Sequence, residues 1–437
     1  MTSRTEDLST AGERARHRIA LRLIPYLMLL YVIAFLDRVN VNIAALEMKQ
    51  DLGFTDAVYG FGAGIFFVGY FLFEIPGTLL VENWSARGWI ARIMITWGIL
   101  AAGMGFIHTD KQFYWVRFFL GVGEAGFFPG VIVYLSHWFR YQDRAKAVAL
   151  FMAAIPLSSV IGSPISGFLL GIHWLGMAGW RWLFVLEGLP AIIFGVVTIF
   201  YLTDWPREAK WLPEEERLWI TAELEREKQA RSAAHSYRIW EALKDREVVL
   251  LALAYFFVVT STYGFNFWFP TLVKNLSGFS DFKVSLIVSL TYCVTLLLML
   301  IMGWSSDRTG ERRFHAALPI TLGAVGFLLS AISLNNPVLA ILTLCCTGAI
   351  LYSYLPGFWP LPSSFLTGSA AAAAIGLINS IGNLGGFVGG YILGYVRTKT
   401  NSFAGGLLYL SLSALLSVGM ILALRQKKTK VDVVLEA

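Results

Sequence analysis

The sequence predicts an all-α integral membrane protein with twelve transmembrane helices in two pseudo-symmetric bundles of six. The chain of 437 residues is 56% hydrophobic and only 15% charged, which is too apolar for an ordinary soluble protein. Apolar runs of about 20 residues, the length that crosses a bilayer as a helix, recur from Leu21 almost to the C-terminus. One long charged segment divides these runs into two sets of six.

The first half is predicted to form an N-terminal bundle over residues 21–203, after a charged cytoplasmic tail over residues 1–20. No small-residue cleavage site interrupts the first apolar run, so we expect it to remain as a helix rather than be removed as a signal peptide. Spans 1 to 6 are predicted at 21–45, 57–80, 90–108, 112–135, 145–171 and 181–203.

The second half is predicted to form a C-terminal bundle over residues 247–424, followed by a cytoplasmic tail over 425–437. Between the bundles, residues 204–246 carry alternating charges at helical spacing and no membrane-length apolar run, which indicates a solvated, partly helical cytoplasmic linker. Spans 7 to 12 are predicted at 247–271, 282–303, 314–334, 337–361, 367–396 and 402–424.

The charge distribution predicts the orientation of the chain. Most of the 35 lysines and arginines fall in the two tails, the linker and alternate loops, so the positive-inside rule places both termini in the cytoplasm. This membrane-related pattern argues against nucleic-acid binding as the cause of the net charge of +6. The three cysteines lie in apolar segments without a metal-ligand spacing, so neither a metal nor another cofactor is predicted.

Internal repetition supports the division into two halves. "GWSSDRTGERR" (303–313) follows span 8, and a degraded copy, "ENWSARGWIAR" (82–92), follows span 2. Gly-rich "GSPISG" in span 5 and "GNLGGFVGG" in span 11 form a second pair, and small residues of this kind let membrane helices approach closely. Six plus six helices with a long middle loop is the plan of transporters built from two parallel repeats.

Six charged residues lie well away from the ends of the predicted spans. At the centre of the bilayer a charged side chain costs at least about 2.5 to 3.5 kcal/mol without a partner or an aqueous cavity. The six residues are Asp37, Arg38, Glu74, Arg117, Glu124 and Glu187. Arg117 and Glu124 share a helix face but lie about 10 Å apart along the axis, so they cannot pair with each other. We predict that Arg117 pairs with Asp37 and Glu124 with Arg38. A purely structural network and a switchable, functional one both remain open.

Several landmarks resemble the major facilitator superfamily and, within it, the anion:cation symporter family. They are "FLDRVNVNIAAL" (35–46), "RFFLGVGEAGFFPG" (117–130), "GWRWLFVLEGLPAI" (179–192), "WLPEEER" (211–217) and "LINSIGNLGGFVGG" (377–390). Span 2, with "AVYGFGAGIFFVGYFLFEIP" (57–76), is most similar to bacterial tartrate and phthalate transporters. The resemblance implies the major facilitator fold.

The resemblance also implies roles for individual residues. Arg38, together with Arg117, is expected to contribute to binding the carboxylate of a substrate, while Asp37 and Glu124 are expected to couple protons. Tyr70 and Asn379 are expected to face the substrate.

Gating is expected at the cytoplasmic side of the bundles. The superfamily's loop motif is intact around Asp307 and Arg308, whereas after span 2 only its acid, Glu82, remains. Glu74 lies toward the cytoplasmic end of span 2, just before Pro76, where a gating role is favoured over substrate contact. Glu187 is interpreted as structural.

Neutral polar residues supply further substrate-binding candidates. Tyr263 and Asn266 lie beside the proline-interrupted end of span 7, and Asn379 and Asn383 are one turn apart on one face of span 11. Amides at this spacing either join helices or bind a ligand. Ser363 follows "GFWPLP", where prolines expose backbone groups.

These features predict proton-coupled symport, in the direction of uptake, of a small organic anion by alternating access. The anion is expected to be a carboxylate such as a tartrate-like hydroxy acid, a sugar acid or an aromatic acid, and the protein a monomer in the inner (plasma) membrane. A proton-independent facilitator or exchanger and a transport-like sensor are the alternatives. The absence of a P-loop lysine motif argues against an ATP-driven pump. An enzyme is not expected, and a channel would favour a ring of identical charges.

Overall fold

The structure, a computed structural model, describes residues 2–83, 85–232, 244–362 and 368–425. The secondary structure of these ranges is helical, with turns and loops between the helices, and no strand occurs in them. The helices of the first half and the linker are α1 (Thr2–Asp51), α2 (Asp56–Asn83), α3 (Ala86–Gly103), α4 (Asp110–Glu124), α5 (Phe127–Trp138), α6 (Tyr141–Met152), α7 (Ala154–Leu170), α8 (Gly179–Tyr201) and α9 (Glu214–Ser232).

The second half repeats the long helices of the first. Its helices are α10 (Arg246–Ser277), α11 (Asp281–Thr309), α12 (Arg313–Ile332), α13 (Pro337–Leu351), α14 (Leu355–Phe358), α15 (Gly368–Thr400) and α16 (Ala404–Leu422). In the described ranges, 11 helices are long and apolar enough to cross a membrane. Predicted span 11 coincides with α15, a helix of 33 residues that is rich in glycine and lies outside that set. Twelve crossings and cytoplasmic termini therefore stay predictions.

Three predicted spans are interrupted helices. Span 4 breaks between α4 and α5, where Gly126 adopts a left-handed conformation with φ 85° that favours glycine over any residue with a Cβ. Span 5 divides into α6 and α7 at Ala153. Span 10 divides into α13 and α14 around a 3-10 turn at Tyr352–Tyr354. The breaks in spans 4 and 5 were not predicted, because hydrophobic periodicity does not report a short change of backbone conformation.

Within each half the helices form a bundle. Helix α1 packs against α7 and α8, and α10 packs against α15 and α16. The two bundles meet where α2 packs against α15 and α7 packs against α11. These inter-bundle contacts place a cavity between the halves, where a two-bundle carrier would be expected to bind its cargo.

The linker forms part of the first bundle's surface. Helix α9 packs against the start of α1, where Arg14 lies 3.1 Å from Glu215 and Arg18 lies 3.0 Å from Glu216. The expectation of a partly helical linker is confirmed by α9, although Glu216 is buried rather than solvated. We call the end of the bundles that carries α9 the linker end and the opposite end the far end.

Glycines bring the bundles close together at the far end. A Cβ atom at Gly60 of α2 would lie 2.5 Å from the carbonyl oxygen of Gly390 on α15, and one at Gly64 would lie 2.9 Å from the backbone of Phe387. Contacts this short leave no room for a side chain, so glycine is required for the two helices to touch. The far end is therefore closed between α2 and α15.

Candidate functional site

A cavity lies between the two bundles and is lined by residues from both. Five of the residues predicted to bind substrate contribute to its wall: Arg38, Tyr70, Tyr263, Asn379 and Asn383. Because its walls come from both bundles, a movement of one bundle relative to the other changes access to the cavity.

Arg38 is the charged group of this cavity wall. Its guanidinium forms an ion pair with Glu124, as the sequence predicts, and its Nη1 donates to the hydroxyl of Tyr263 at 3.4 Å. The guanidinium carbon also lies 4.8 Å from the ring centroid of Phe35 and 5.4 Å from that of Tyr70, within cation–π range. Arg38 therefore has a first-bundle anion, a second-bundle hydroxyl and aromatic faces around it.

Glu124 takes its position from the helix break. It is the last residue of α4, and the chain turns at Ala125 and Gly126 before α5 begins. Its carboxyl is buried, with a side-chain exposure of 1%. A charged group this deeply buried requires compensation, which Arg38 supplies.

Arg117 does not occupy the place that the sequence predicts. It is completely buried, and it donates from Nη2 to the carbonyl of Ala63 at 3.0 Å and from Nε to that of Gly62 at 3.4 Å. Among the described residues no ion pair joins it to Asp37, and it does not line the cavity. The predicted Arg117–Asp37 pair is wrong, because the guanidinium reaches backbone carbonyls of α2 instead.

Asp37 lies in a second group of buried polar residues. Asn40 donates from Nδ2 to Asp37 Oδ1 at 3.1 Å, and Ser166 of α7 donates to Glu187 Oε1 of α8 at 2.6 Å. Neither Asp37 nor Glu187 lines the cavity. Asp37 contacts Asn40 of its own helix, whereas Glu124 contacts Arg38, so the two acids have different partners.

Glu74 joins the two bundles toward the linker end. Its two carboxyl oxygens accept from Asn379 Nδ2 and from Ser380 Oγ, each at 2.6 Å. Because Glu74 is on α2 and both partners are on α15, these hydrogen bonds would have to break for the bundles to separate there. In this structure Asn379 lines the cavity while bound to Glu74.

Asn266 is also held between the bundles. It accepts from Asn42 Nδ2 at 2.7 Å and donates to the hydroxyl of Tyr292 at 2.8 Å. It lines a second, smaller cavity next to Tyr352. In this structure its amide is engaged by protein groups on both sides.

The remaining predicted gating residues either form contacts at the end of α11 and the turn that follows it or lie outside the described residues. Asp307 lies 2.6 Å from Arg312, and the Arg308 guanidinium lies 5.3 Å from the Trp304 ring centroid. The Glu82 side chain and Ser363 lie outside the described residues. No group of three or more His, Cys, Asp or Glu residues that could hold a metal ion occurs in the described part of the chain.

The sequence analysis missed most of the aromatic wall. Four further tyrosines line the cavity: Tyr31, Tyr255, Tyr352 and Tyr354. Aromatic residues make up 15% of the chain, so composition does not distinguish those that face the cavity. The break in predicted span 10 was the available signal, because it places Tyr352 and Tyr354 at an interruption of a membrane helix.

Comparison with known proteins agrees with this architecture. The model of the Major Facilitator Superfamily matches residues 27–390. A protein of Agrobacterium vitis named "Putative tartrate transporter" is 48% identical over 426 residues, which cover 97% of this chain and 96% of the relative. The "Quinolone resistance transporter" of Acinetobacter baumannii is 41% identical over 405 residues, covering 92% of this chain and 93% of the relative.

A solved structure shares the fold. A bacterial homologue of the human lysosomal transporter Spinster, in an inward-facing and occupied conformation, superposes with a TM-score of 0.73 at 16% identity and covers 92% of this chain and 95% of that chain. These matches agree with two packed helical bundles and a cavity between them. They show that the chain belongs to the Major Facilitator Superfamily and is a membrane transporter, not an enzyme.

Proposed function

We propose that the protein takes up a small organic anion together with protons, as a monomer in the inner membrane with both termini in the cytoplasm. The observation that carries this proposal is the ion pair between Arg38 and Glu124 at the wall of the inter-bundle cavity. This pair contains the two groups that coupling requires, a cation that binds a carboxylate and an acid that binds a proton.

Coupling follows from competition for one guanidinium. Within the described part of the chain, Arg38 is the charged group that lines the cavity. A substrate carboxylate therefore competes with Glu124 for Arg38. Protonation of Glu124 removes the competing charge and releases Arg38, while loss of the anion lets the ion pair form again. The empty ion pair is neutral, and so is the site that holds one proton on Glu124 and one substrate carboxylate on Arg38. The protein can therefore change conformation in either state without an uncompensated buried charge.

The cavity wall favours an anion that presents one carboxylate to Arg38 and a hydroxylated or aromatic body to the rest of the wall. Arg38 offers bidentate geometry to one carboxylate. The phenol groups, such as Tyr255 and Tyr352, and the amides of Asn379 and Asn383 can hydrogen-bond hydroxyl groups or pack against a ring. Sugar acids, hydroxy acids and aromatic acids meet this description, and the name of the Agrobacterium vitis relative points to a hydroxy acid.

Alternating access is supported by the two ends of the inter-bundle interface. At the far end α2 and α15 touch through glycines, whereas toward the linker end they are joined by the hydrogen bonds of Glu74. We assign the gating step to these contacts. We propose that the intact loop motif with Asp307 and Arg308 also acts in gating at the linker end. Glu82, in the degraded copy of this motif, is proposed to act there as well.

The test is uptake by the full-length protein in proteoliposomes. The panel comprises gluconate, L-tartrate and benzoate, each with and without an inward proton gradient. We expect saturable uptake of at least one of these anions that rises with the gradient. Saturable uptake that is the same with and without the proton gradient would instead support a facilitator or exchanger. Binding without uptake would support a sensor.

A further inference from the structure

We propose that Asn42 and Tyr59 of the first bundle hold the far end closed by hydrogen-bonding two backbone carbonyls of α10 beside a proline that interrupts this helix. These hydrogen bonds are additional to the glycine contact between α2 and α15. The proposal rests on the alternating access of the proposed function, and neither on proton coupling nor on the identity of the anion.

Pro270 interrupts the hydrogen-bond pattern of α10. The helix runs from Arg246 to Ser277 and contains this proline in its interior. In an α-helix the N–H of each residue donates to the carbonyl four positions earlier, and proline has no N–H. The carbonyl of Asn266 therefore lacks its usual donor within the helix. Inside a membrane such a carbonyl is satisfied by a neighbouring helix or by water in a cavity.

The side chain of Asn42 on α1 supplies that donor from the other bundle. Its Nδ2 lies 3.0 Å from the backbone oxygen of Asn266 and 2.7 Å from Oδ1 of the same residue, and an amide nitrogen carries two hydrogens to donate. Both residues are buried, each with an exposure of 4%. One amide of the first bundle thus replaces the N–H that Pro270 lacks and also binds the adjoining side chain.

Tyr59 of α2 makes a similar contact with the next carbonyl of α10. Its hydroxyl lies 2.9 Å from the backbone oxygen of Phe267, nearer than the 3.5 Å to the carbonyl of Val41 on α1. Its ring packs edge-on against Trp268 of α10, with the ring centroids 5.0 Å apart. Tyr59 also precedes Gly60, the residue of the far-end glycine contact. Two helices of the first bundle, α1 and α2, therefore bond successive carbonyls of α10.

These bonds lie between the cavity and the far end. Helix α1 begins at the linker end, and Asn42 is about one turn beyond Arg38 of the cavity wall. Asn266 also donates from Nδ2 to the hydroxyl of Tyr352 at 3.4 Å, and Tyr352 lines the cavity. Closure of the far end therefore fixes part of the cavity wall as well.

Double electron–electron resonance measures the far-end equilibrium in the purified full-length protein without substrate. Spin labels at Lys111 and Asn335, which are exposed at the far ends of the two bundles, report the separation after the native cysteines are replaced by alanine. Each hydrogen bond changes an equilibrium constant by about two- to tenfold. Asn42→Ala removes two bonds and should raise the ratio of open to closed far ends about tenfold. Tyr59→Phe removes one and should raise it about threefold.

Pro270→Ala tests whether the proline creates the need for Asn42. Alanine supplies the missing N–H, so the carbonyl of Asn266 gains a donor within α10. With Pro270→Ala present, Asn42→Ala should raise the ratio only about threefold. Pro319→Ala is the matched control, because Pro319 lies inside α12, which packs against α13 and α16 of its own bundle. With Pro319→Ala present, Asn42→Ala should keep its full effect.

A second control tests whether any amide between the bundles would act in this way. Asn379→Ala removes a 2.6 Å hydrogen bond to Glu74 toward the linker end and should not raise the ratio of open to closed far ends. A rise equal to that of Asn42→Ala would contradict a specific role of Asn42.

Two further results would overturn the proposal: far-end distances in Asn42→Ala that match the wild type, or an effect of Asn42→Ala that is the same with and without Pro270→Ala. Should these variants fail to fold, as judged by gel filtration, Tyr59→Phe decides, since it removes a single oxygen atom. Unchanged distances in Tyr59→Phe then contradict the proposal. Because no substrate or proton gradient is present, uptake that does not respond to a gradient would contradict proton coupling and leave these distances unaffected.

Discussion

Replacement of Glu124 by glutamine should separate anion binding from proton coupling. The substitution keeps the shape of the side chain but removes the charge that pairs with Arg38. Breaking a buried ion pair from one side costs about 3 to 5 kcal/mol. The aromatic faces of Phe35 and Tyr70, 4.8 and 5.4 Å from the guanidinium carbon, are present in both proteins, so they do not offset this cost. We therefore expect the ligand-free protein to lose about 3 to 5 kcal/mol of stability.

The same change should strengthen anion binding. In the wild type a substrate carboxylate has to displace Glu124 from Arg38, whereas in Glu124→Gln the guanidinium is available. A gain of about 1.4 kcal/mol corresponds to tenfold tighter binding, and we expect at least that much. Binding should also lose its dependence on pH, because the competing acid is gone.

The assay compares two modes of transport in proteoliposomes, with the carboxylate that the wild type takes up. A gradient of one pH unit supplies about 1.4 kcal/mol and so supports about tenfold accumulation per coupled proton. The wild type should approach that ratio. Glu124→Gln should exchange internal for external substrate at a comparable rate but accumulate none.

A matched control tests whether any buried, paired carboxylate would give this result. Glu247→Gln removes such a group from the second bundle, away from the cavity, and should transport as the wild type does. Proton-driven accumulation that survives in Glu124→Gln would refute the assignment of coupling to Glu124. Loss of exchange as well as accumulation would show that the carboxylate is needed for the movement itself.

Three further substitutions test the interface and the buried arginine. Glu74→Ala removes two charge-assisted hydrogen bonds to α15, each worth about 1.5 to 3 kcal/mol. The ratio of separated to closed bundles at the linker end should therefore rise at least about tenfold. Double electron–electron resonance between spin labels on the two bundles measures this ratio. Gly60→Ala places a Cβ 2.5 Å from the carbonyl oxygen of Gly390 and should slow transport severely. Gly376→Ala on α15, where nothing lies within 4 Å, should leave the transport rate unchanged. Equal transport rates in the two variants would contradict a close contact between α2 and α15 at the far end. Arg117→Met removes the two hydrogen bonds from the guanidinium to carbonyls of α2 and should lower the free energy of unfolding by about 2 to 4 kcal/mol. Thermal unfolding measures this loss, and an unchanged melting temperature would show that these bonds contribute nothing.

Much of the fold could be predicted from the sequence because membrane insertion depends on local composition. Apolar runs, their flanking charges and the repeated loop "GWSSDRTGERR" are properties of short segments, so they predict two helical halves without knowledge of packing. The pairing of Arg38 with Glu124 was also accessible. A charge in a membrane needs a partner, and the seven-residue spacing excludes Arg117 as the partner of Glu124.

The sequence by itself thus determined the class of protein, the division into halves and the residues whose charges need explanation. The tertiary structure decided which groups meet: the helix break at Gly126 beside Glu124, Arg117 on the carbonyls of α2, Glu187 on Ser166 of α7 and Glu74 on α15. The physical reason is that periodicity assigns a residue to a helix face but not the neighbour of that face. That neighbour follows from packing over the whole bundle, and a one-residue backbone turn leaves no trace in hydrophobicity.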